Sequence, residues 1–501
     1  MEKKKVLLIG SHSRHPYKVG MLAEVFKNLY DDNNIDLRFL DCDNAVGGYC
    51  ILNKAHGKMY CKKCTVANKY VMDWINFPKE NVIKMKKFKA PKFPIFTDID
   101  VLKKYEIEGQ NAGLAAVTSI MSMTRDFQFD PLKHTKTIHG FFKTQYIMIK
   151  NLEKVYEEFP FEEIHTFNGR FALPYAAVQF AIKKGIDYYL YEGSGKPTKY
   201  LKVKNKLVHN MDAIRDQINS EWAKSDPENR DEIARRWFAQ RRAGKNAFSF
   251  TLDQKSKLLP KDYDETKENI VMFNSSIDEY YAFDDFTNPI EKNENNIVKA
   301  ILERYKDDDT KHFYLRIHPN LTEAKRKKAL QILQINELKK KGYKNFTVIE
   351  PDDKIDSYSM IDIADKVITF ISTMGVESTF WGKPSILAGK SFCDHLGCVY
   401  QVKTYDELFK MIDDKDLKPI EQSKTYPYGY GMAMHGVEYK TYIPYRHNDG
   451  EFLGHSVKIF ENPINEFIKG HVLHRFRVVK TLKKEKMEDI FQSKEPVNFE
   501  K

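Results

Sequence analysis

Nowhere in the chain do about 18 apolar residues run uninterrupted, so no transmembrane helix is expected. The opening MEKKKVLLIGSH holds only a brief apolar run before polar residues return. That is too short for the core of a secretion signal, and it reads as a first β-strand. Cysteine is scarce, six in 501 residues, which suits reduced thiols in a cytoplasmic setting rather than a disulfide framework. There is no low-complexity tract, and no repeat beyond a loose similarity between two halves. No Asp-x-Asp pair stands at the end of a strand pattern. The acidic run at 307–309 follows a helical pattern and reads as a solvated turn.

What is present is globular. Hydrophobic residues make up 42% and charged residues 30%, and the length calls for two domains with their own cores. The net charge of +11 and pI near 8.9 favour anionic partners: a nucleotide, an acidic membrane face or nucleic acid. Charge does not choose among them.

Apolar runs of strand length alternate with helical periodicity. KKVLLIG (4–10), GMLAEVFKNLY (20–30) and IDLRFLD (35–41) predict strand, helix, strand, and the pattern returns at FEEIHTFN (161–168), YAAVQFAIKKG (175–185) and IDYYLYEG (186–193). A second series runs from ENIVMFNSS (268–276) through HFYLRIHPN (312–320), NFTVIEP (345–351) and VITFIS (367–372) to PSILAG (384–389). The expected fold class is α/β, with two Rossmann-like domains facing a cleft. Residues 1–262 form the first, with a Cys/Lys-rich insertion at about 42–110, and 263–430 the second. Residues 431–501 form an extension with a basic closing helix at 462–484.

In open parallel sheets, ligands bind beyond the carboxyl ends of the strands. VITFIS followed by TMGVEST delivers Ser372 and Thr373 to that edge at the start of a helix. Gly375 would let a phosphate approach the backbone, and Glu377 would accept hydrogen bonds from ribose hydroxyls. The same residues also read as an ordinary cap, Ser or Thr followed by Glu in the first turn. Arg316 and His318 end another strand of the same predicted sheet, where a cation and an imidazole suit a leaving phosphate.

HPN (318–320) and the stretch 355–384 resemble the second domain of GT-B glycosyltransferases that build bacterial capsules and surface carbohydrates. The chain is similar to the capsule polysaccharide biosynthesis proteins and to the bacterial sialyltransferase and Kdo-transferase groups. The corresponding motifs are LYEGSG (190–195), IHPN (317–320) and ISTMG (371–375); NGR (168–170), RRAGKNAFSF (241–250) and NSSIDEY (274–280) share their character. The resemblance implies a nucleotide sugar held by Arg316, His318, Ser372, Thr373, Gly375 and Glu377. It also implies an acid in the first-domain motif as base toward the acceptor hydroxyl. This chain has Tyr191 where the first acid of that motif would stand, which leaves Glu192 as the candidate base. Asp126 in SMTRDFQFD is a reserve, as are His12 and His15; Arg170 and His15 would lie on the acceptor side. No cofactor is required, only the nucleotide sugar as cosubstrate, with a glycan or lipid-linked acceptor as the other partner.

Cys50, His56, Cys61 and Cys64 supply enough ligands for a structural zinc, and read otherwise as reduced thiols of the insertion. The tracts KMKKFKAPKF (84–93) and HRFRVVKTLKKEK (474–486) would suit an anionic membrane surface, placing the protein on the inner membrane face. They read otherwise as solvated lysine faces. Rival functions are a polyol-phosphate transferase of the teichoic-acid type, a sugar-nucleotide epimerase and a non-catalytic nucleic-acid-binding protein. Scattered charge and the lack of a stacking motif count against nucleic acid.

Overall fold

The computed structural model describes residues 2–10, 16–47, 50–51, 59–244, 257–321, 329–446 and 449–457. The chain divides into two compact units. One comprises 1–123, 130–208 and 436–494; the other comprises 124–129, 209–435 and 495–501.

The first unit opens with β1 (Lys4–Ile9), α1 (Pro16–Tyr30) and β2 (Ile35–Asp41), as the periodicity predicts. Helix α2 (Met59–Trp74) then leads to β3 (Val82–Lys84), parallel to β2. Both lie inside the stretch expected to be an insertion. It instead carries the sheet's third strand, which at three residues is too short to show an apolar run. Helices α3 (Gly113–Thr124) and α4 (Thr135–Glu158) precede β4 (Glu163–Phe167), α5 (Ala172–Lys184) and β5 (Asp187–Gly193). Gly185, at φ +68°, ends α5 in the left-handed conformation. β5 then doubles back into the antiparallel β6 (Lys199–Lys204). Counting from β6, the sheet order is β6-β5-β4-β1-β2-β3, a doubly wound half closed by a hairpin.

The second unit begins with α6 (Met211–Ala223) and α7 (Arg230–Arg242). Its sheet strands are β7 (Glu268–Phe273), β8 (Lys311–Arg316), β9 (Phe346–Ile349), β10 (Lys366–Thr369), β11 (Ser385–Leu387) and β12 (Tyr400–Gln401). Between them run α8 (Glu294–Tyr305), α9 (Leu330–Lys340), α10 (Ser357–Ile363) and α11 (Met374–Phe380); α12 (Tyr405–Asp413) and α13 (Tyr426–Met434) follow. All six strands are parallel in the order β9-β8-β7-β10-β11-β12, with Ile270, Met272, Phe313, Leu315 and Ile368 buried among helix residues.

Residues 209–262 were expected with the first domain, but the division of the chain falls at 208. Packing accounts for it. Ile218, Ala234 and Phe238 of α6 and α7 form one cluster with Phe380, Tyr428 and Tyr430. A Cβ on Gly429 would stand 2.6 Å from the Phe238 ring, and one on Gly431 3.0 Å from the Ile218 Cα. The glycines of YPYGYGM therefore let α13 lie directly on both helices.

After α13 the chain returns to the first unit. β13 (Val437–Glu438) adds to β6, and β14 (Tyr442–Arg446) pairs with β15 (Asp449–Phe452). The fully buried carboxylate of Glu24 in α1 accepts the backbone N–H groups of Lys440, Thr441 and Tyr442 at 2.8, 2.9 and 2.8 Å. Part of the expected 431–501 extension is thus bound into the first unit, and the expected helix at 462–484 lies outside the described residues. No helix among the described residues is long and apolar enough to cross a membrane.

Candidate functional site

In the second sheet the chain runs outward from β7 through β8 to β9, then crosses back to β10 on the other side of β7. The switch point is therefore at β7, between β8 and β10. Arg316, Phe273 and Thr369 sit in register across these three strands. The loops that follow all leave the same carboxyl edge: Asn274–Ser276 after β7, His318–Pro319 after β8, and Ser372–Thr373 after β10.

Asn274 fixes the His318 loop by accepting its backbone N–H at 2.7 Å. Its own Nδ2, and the Oγ of Ser276, are buried without a partner among the described residues. Buried donors left open at a switch point mark a place prepared for an acceptor. Ser275 is spent internally. Its N–H (3.0 Å) and Oγ (2.7 Å) both donate to Glu294, which Gln331 also contacts at 2.8 Å. Burial pushes the Glu294 carboxyl up to about 7 despite these donors. Beside the loop lies a small pocket walled by Tyr280, Tyr281, Phe286 and Phe370, with Lys292 and Glu294 as its charged members.

The Ser/Thr pair is half-buried at this edge. Ser372 Oγ accepts the Met374 N–H at 3.2 Å in a local turn, whereas Thr373, the N-cap residue of α11, makes no side-chain cap bond, so the expected cap is only partly formed. Thr373 Oγ1 donates to Glu377 at 3.1 Å. Helix α11 has only seven residues, so anion affinity at this edge must come chiefly from side chains rather than from a helix dipole.

Glu377 departs from expectation. It is fully buried, and its carboxylate is engaged by the protein's own groups: Arg241 Nε at 3.0 Å, the Tyr358 hydroxyl and Thr373. The ribose role foreseen for it has no free oxygen to work with. Instead it anchors α7 and α10 to the start of α11. Burial disfavours the Arg241 charge, but Glu377 outweighs this and holds the guanidinium protonated. Gly375 also differs: an added Cβ would stand 2.7 Å from Thr369 Oγ1, so the glycine lets α11 settle onto the end of β10. Arg316 is 4% exposed and donates to the carbonyls of Ile317 and Glu350. Burial lowers its pKa to about 10, against the pull of nearby acids led by Asp353. It is a buried brace, not the open cation expected at a phosphate.

In the first unit, Glu192 stands half-buried at the carboxyl end of β5. It accepts from Asn168 Nδ2 at 2.7 Å and from the Gly193 N–H at 2.9 Å. Asn168, in the left-handed region at φ +57°, also accepts the Arg170 N–H at 3.2 Å. Glu192, Arg170 and the unforeseen Asn168 thus meet at one sheet edge. Lys18 of α1 is close enough for Glu192 to raise its pKa, though burial, the larger effect, lowers it. Tyr191, where the family motif would carry an acid, is buried and contacts His165.

Asp126 makes a local turn, accepting the Gln128 N–H at 2.9 Å, and falls in the 124–129 segment of the second unit. His12, His15 and His56 lie outside the described residues. Cys50, Cys61 and Cys64 form no disulfide among the described residues. Burial, then Cys42 and Cys50, pushes the Cys64 thiol well up, and no metal-holding group of three is found among the described residues. The tract at 84–93 lies along α4: Asn151 brackets Lys86 from both sides, and Phe93 packs on Phe142.

No family model and no curated protein matches the chain. Among solved structures it is similar to the β-Kdo 2,4-transferase of KpsC from Thermosulfurimonas dismutans, with 13% identity and a TM-score of 0.36 over 54% of this chain and 79% of that one. It is also similar to the UDP-GlcNAc 2-epimerase of Neisseria meningitidis bound to UDP-GlcNAc, with 13% identity and a TM-score of 0.31 over 86% and 97%. A third is the β-Kdo 2,7-transferase of the same KpsC, at 12% identity and a TM-score of 0.32 over 56% and 80%. At such scores, function has to be argued from this chain's own residues.

Proposed function

We propose that the protein is a GT-B-type glycosyltransferase. It would move a sugar from a nucleotide-activated donor, a CMP-sugar in the first instance, to a glycan or lipid-linked acceptor of a surface polysaccharide. One observation carries the reading. His318 and Ser372 leave the two strands that flank β7, and between them Asn274 Nδ2 and Ser276 Oγ are buried donors with no acceptor among the described residues.

The second unit holds the donor. Asn274, Ser276, Ser372 and Thr373 receive the phosphate oxygens, and the neighbouring aromatic pocket offers ring faces to a base or sugar. As the bond from the anomeric carbon to the phosphate oxygen breaks, negative charge builds on the leaving phosphate. His318, protonated, neutralises it. Glu192 is the group assigned to take the proton of the attacking acceptor hydroxyl, and its hydrogen bond from Asn168 fixes its orientation. Glu377 and Arg241 do not touch the donor in this scheme; they hold the edge in shape.

A thermal-shift panel of CMP, UDP, GDP and their sugars tests the donor site, because a ligand that binds only the folded state raises stability by mass action. Selective stabilisation by CMP compounds is expected. His318→Ala should lower turnover by about 10²- to 10⁴-fold while leaving the unfolding temperature unchanged. No nucleotide shift, or near-native turnover in this variant, would remove the reading.

A further inference from the structure

The first sheet has a second place prepared for a ligand, away from the carboxyl edge that carries Glu192. Right-handed crossovers put the helices after β1 and β2 on one face and those leading to β4 and β5 on the other. On the α1 face, the β4-β5-β6 portion therefore has no crossover helix of its own, and the hairpin from β5 to β6 adds none. Strands covered on both faces read as nearly continuous apolar runs. These do not. Ile164 and Leu190 turn to the covered side and are fully buried, whereas Glu163, His165, Tyr189, Tyr191 and Lys202 line a cavity of about 340 Å³ beside α1. Lys4 and Ile35, the first residues of β1 and β2, also line it, so it opens toward the amino ends of the parallel strands.

Most of the charge in this cavity is already organised. Tyr191 Oη lies on His165 Nδ1, and His165 Nε2 faces Glu163 at 3.1 Å, so a neutral imidazole accepts from the tyrosine and donates to the carboxylate. Burial opposes the Glu163 charge, but His165 and the Lys4 ion pair outweigh it and bring the carboxyl to about 2. Lys202 is left over. Its ammonium stands 4.7 Å above the Tyr189 ring and has no hydrogen-bond acceptor among the described residues. Burial lowers its pKa further than Glu163 raises it. An exposed lysine at the mouth of a tyrosine-walled cavity of ligand size lacks one thing, an anion.

We propose that this cavity binds the carboxylate of an acidic sugar. Lys202 pairs with the carboxylate, the Tyr189 ring packs against the sugar's C–H face, and Glu163, held in place by His165, accepts a hydrogen bond from one of its hydroxyls. The choice of a sugar as the body of the anion rests on the glycosyltransferase reading. The sugar is either a free acid or the end residue of an acidic glycan.

The test is calorimetric titration of the full chain with glucuronate, a glucuronate-terminated disaccharide, glucose and inorganic phosphate. Saturable binding of both glucuronate ligands, with none for glucose or phosphate, is expected. Lys202→Met should weaken it at least tenfold, and Lys202→Arg should preserve it. Tighter binding of the disaccharide would identify a glycan end, and equal binding the free acid. Absence of saturable binding, equal binding of phosphate, or an unchanged affinity in Lys202→Met would overturn the proposal. The CMP shift is read separately, so loss of one result leaves the other standing.

Discussion

The two units share a plan and differ in how it is closed. Both sheets set five parallel strands in the order third, second, first, fourth, fifth. The second unit then adds a sixth parallel strand, whereas the first turns back through an antiparallel hairpin. In the second unit helices shut both faces of the sheet, and polar groups with open valences gather at the carboxyl edge, at Asn274 and Ser276. In the first unit part of one face stays without a crossover helix, and there the alternation of strand side chains sets buried Glu163 and His165 and exposed Lys202 along a cavity. Where a sheet is covered decides where its chemistry can lie.

The units also bury a carboxylate by different means, and this offers the largest stability effect. Glu377 and Glu24 are both fully buried. Glu377 is held by the Arg241 cation, Glu24 by three backbone N–H groups and Asn28. Arg241→Met leaves an unpaired buried charge and should cost about 3–5 kcal/mol. Glu24→Gln keeps one oxygen for the backbone donors but turns an amide NH2 toward them, and should cost about 1–3 kcal/mol. Urea unfolding of the two variants checks the ranking; equal losses would erase this distinction between the units.

A pH titration sharpens the same contrast. Glu294 has a folded pKa near 7, above its ordinary value of 4.5. Below pH 4.5 it is protonated in both states and costs nothing. Between 4.5 and 7 the unfolded chain releases the proton first, so stability falls as pH rises, by about 3 kcal/mol in total, and levels off above 7. Glu294→Gln should flatten that portion of the curve, measured by denaturant unfolding at pH 5 and pH 7.5. Glu163 has the opposite sign. Its carboxyl, held near 2, contributes stability that is complete above 4.5 and is lost as pH falls toward 2.

Elements with their own apolar run were legible in the sequence. IDLRFLD is β2 to the residue, and the strands that lead to His318 and Ser372 belong to one parallel sheet as expected; that they flank β7 is what the fold adds. What escaped depends on distant partners. The helices of 211–242 are only partly amphipathic alone, and their assignment is settled by Tyr428 and Tyr430 far along the chain. Likewise, Glu377 reads as a ribose acceptor until Arg241, 136 residues earlier, is seen to occupy it. Asn274 and Ser276 carried a usable signal: NSS follows an apolar strand just as IST does after VITF. Tyr191 reads as a missing acid in a motif, and only the fold shows it turned inward against His165.

At Gly375, phosphate approach and close packing make different predictions. A methyl group there would meet Thr369 Oγ1 at 2.7 Å and stand 3.5 Å from Ser385 Oγ; both hydroxyls are buried without partners among the described residues. Neither lies on a flexible arm, so Gly375→Ala should cost about 1–3 kcal/mol through overpacking. Thr369→Ala removes the clashing oxygen and gives the methyl its space, so the double variant should recover most of that loss. If glycine served mainly to admit a phosphate, Gly375→Ala would weaken nucleotide binding at unchanged stability, and Thr369→Ala would restore nothing. Thermal unfolding of the single and double variants, with and without CMP, separates the two accounts, because only packing strain is relieved from beneath the helix.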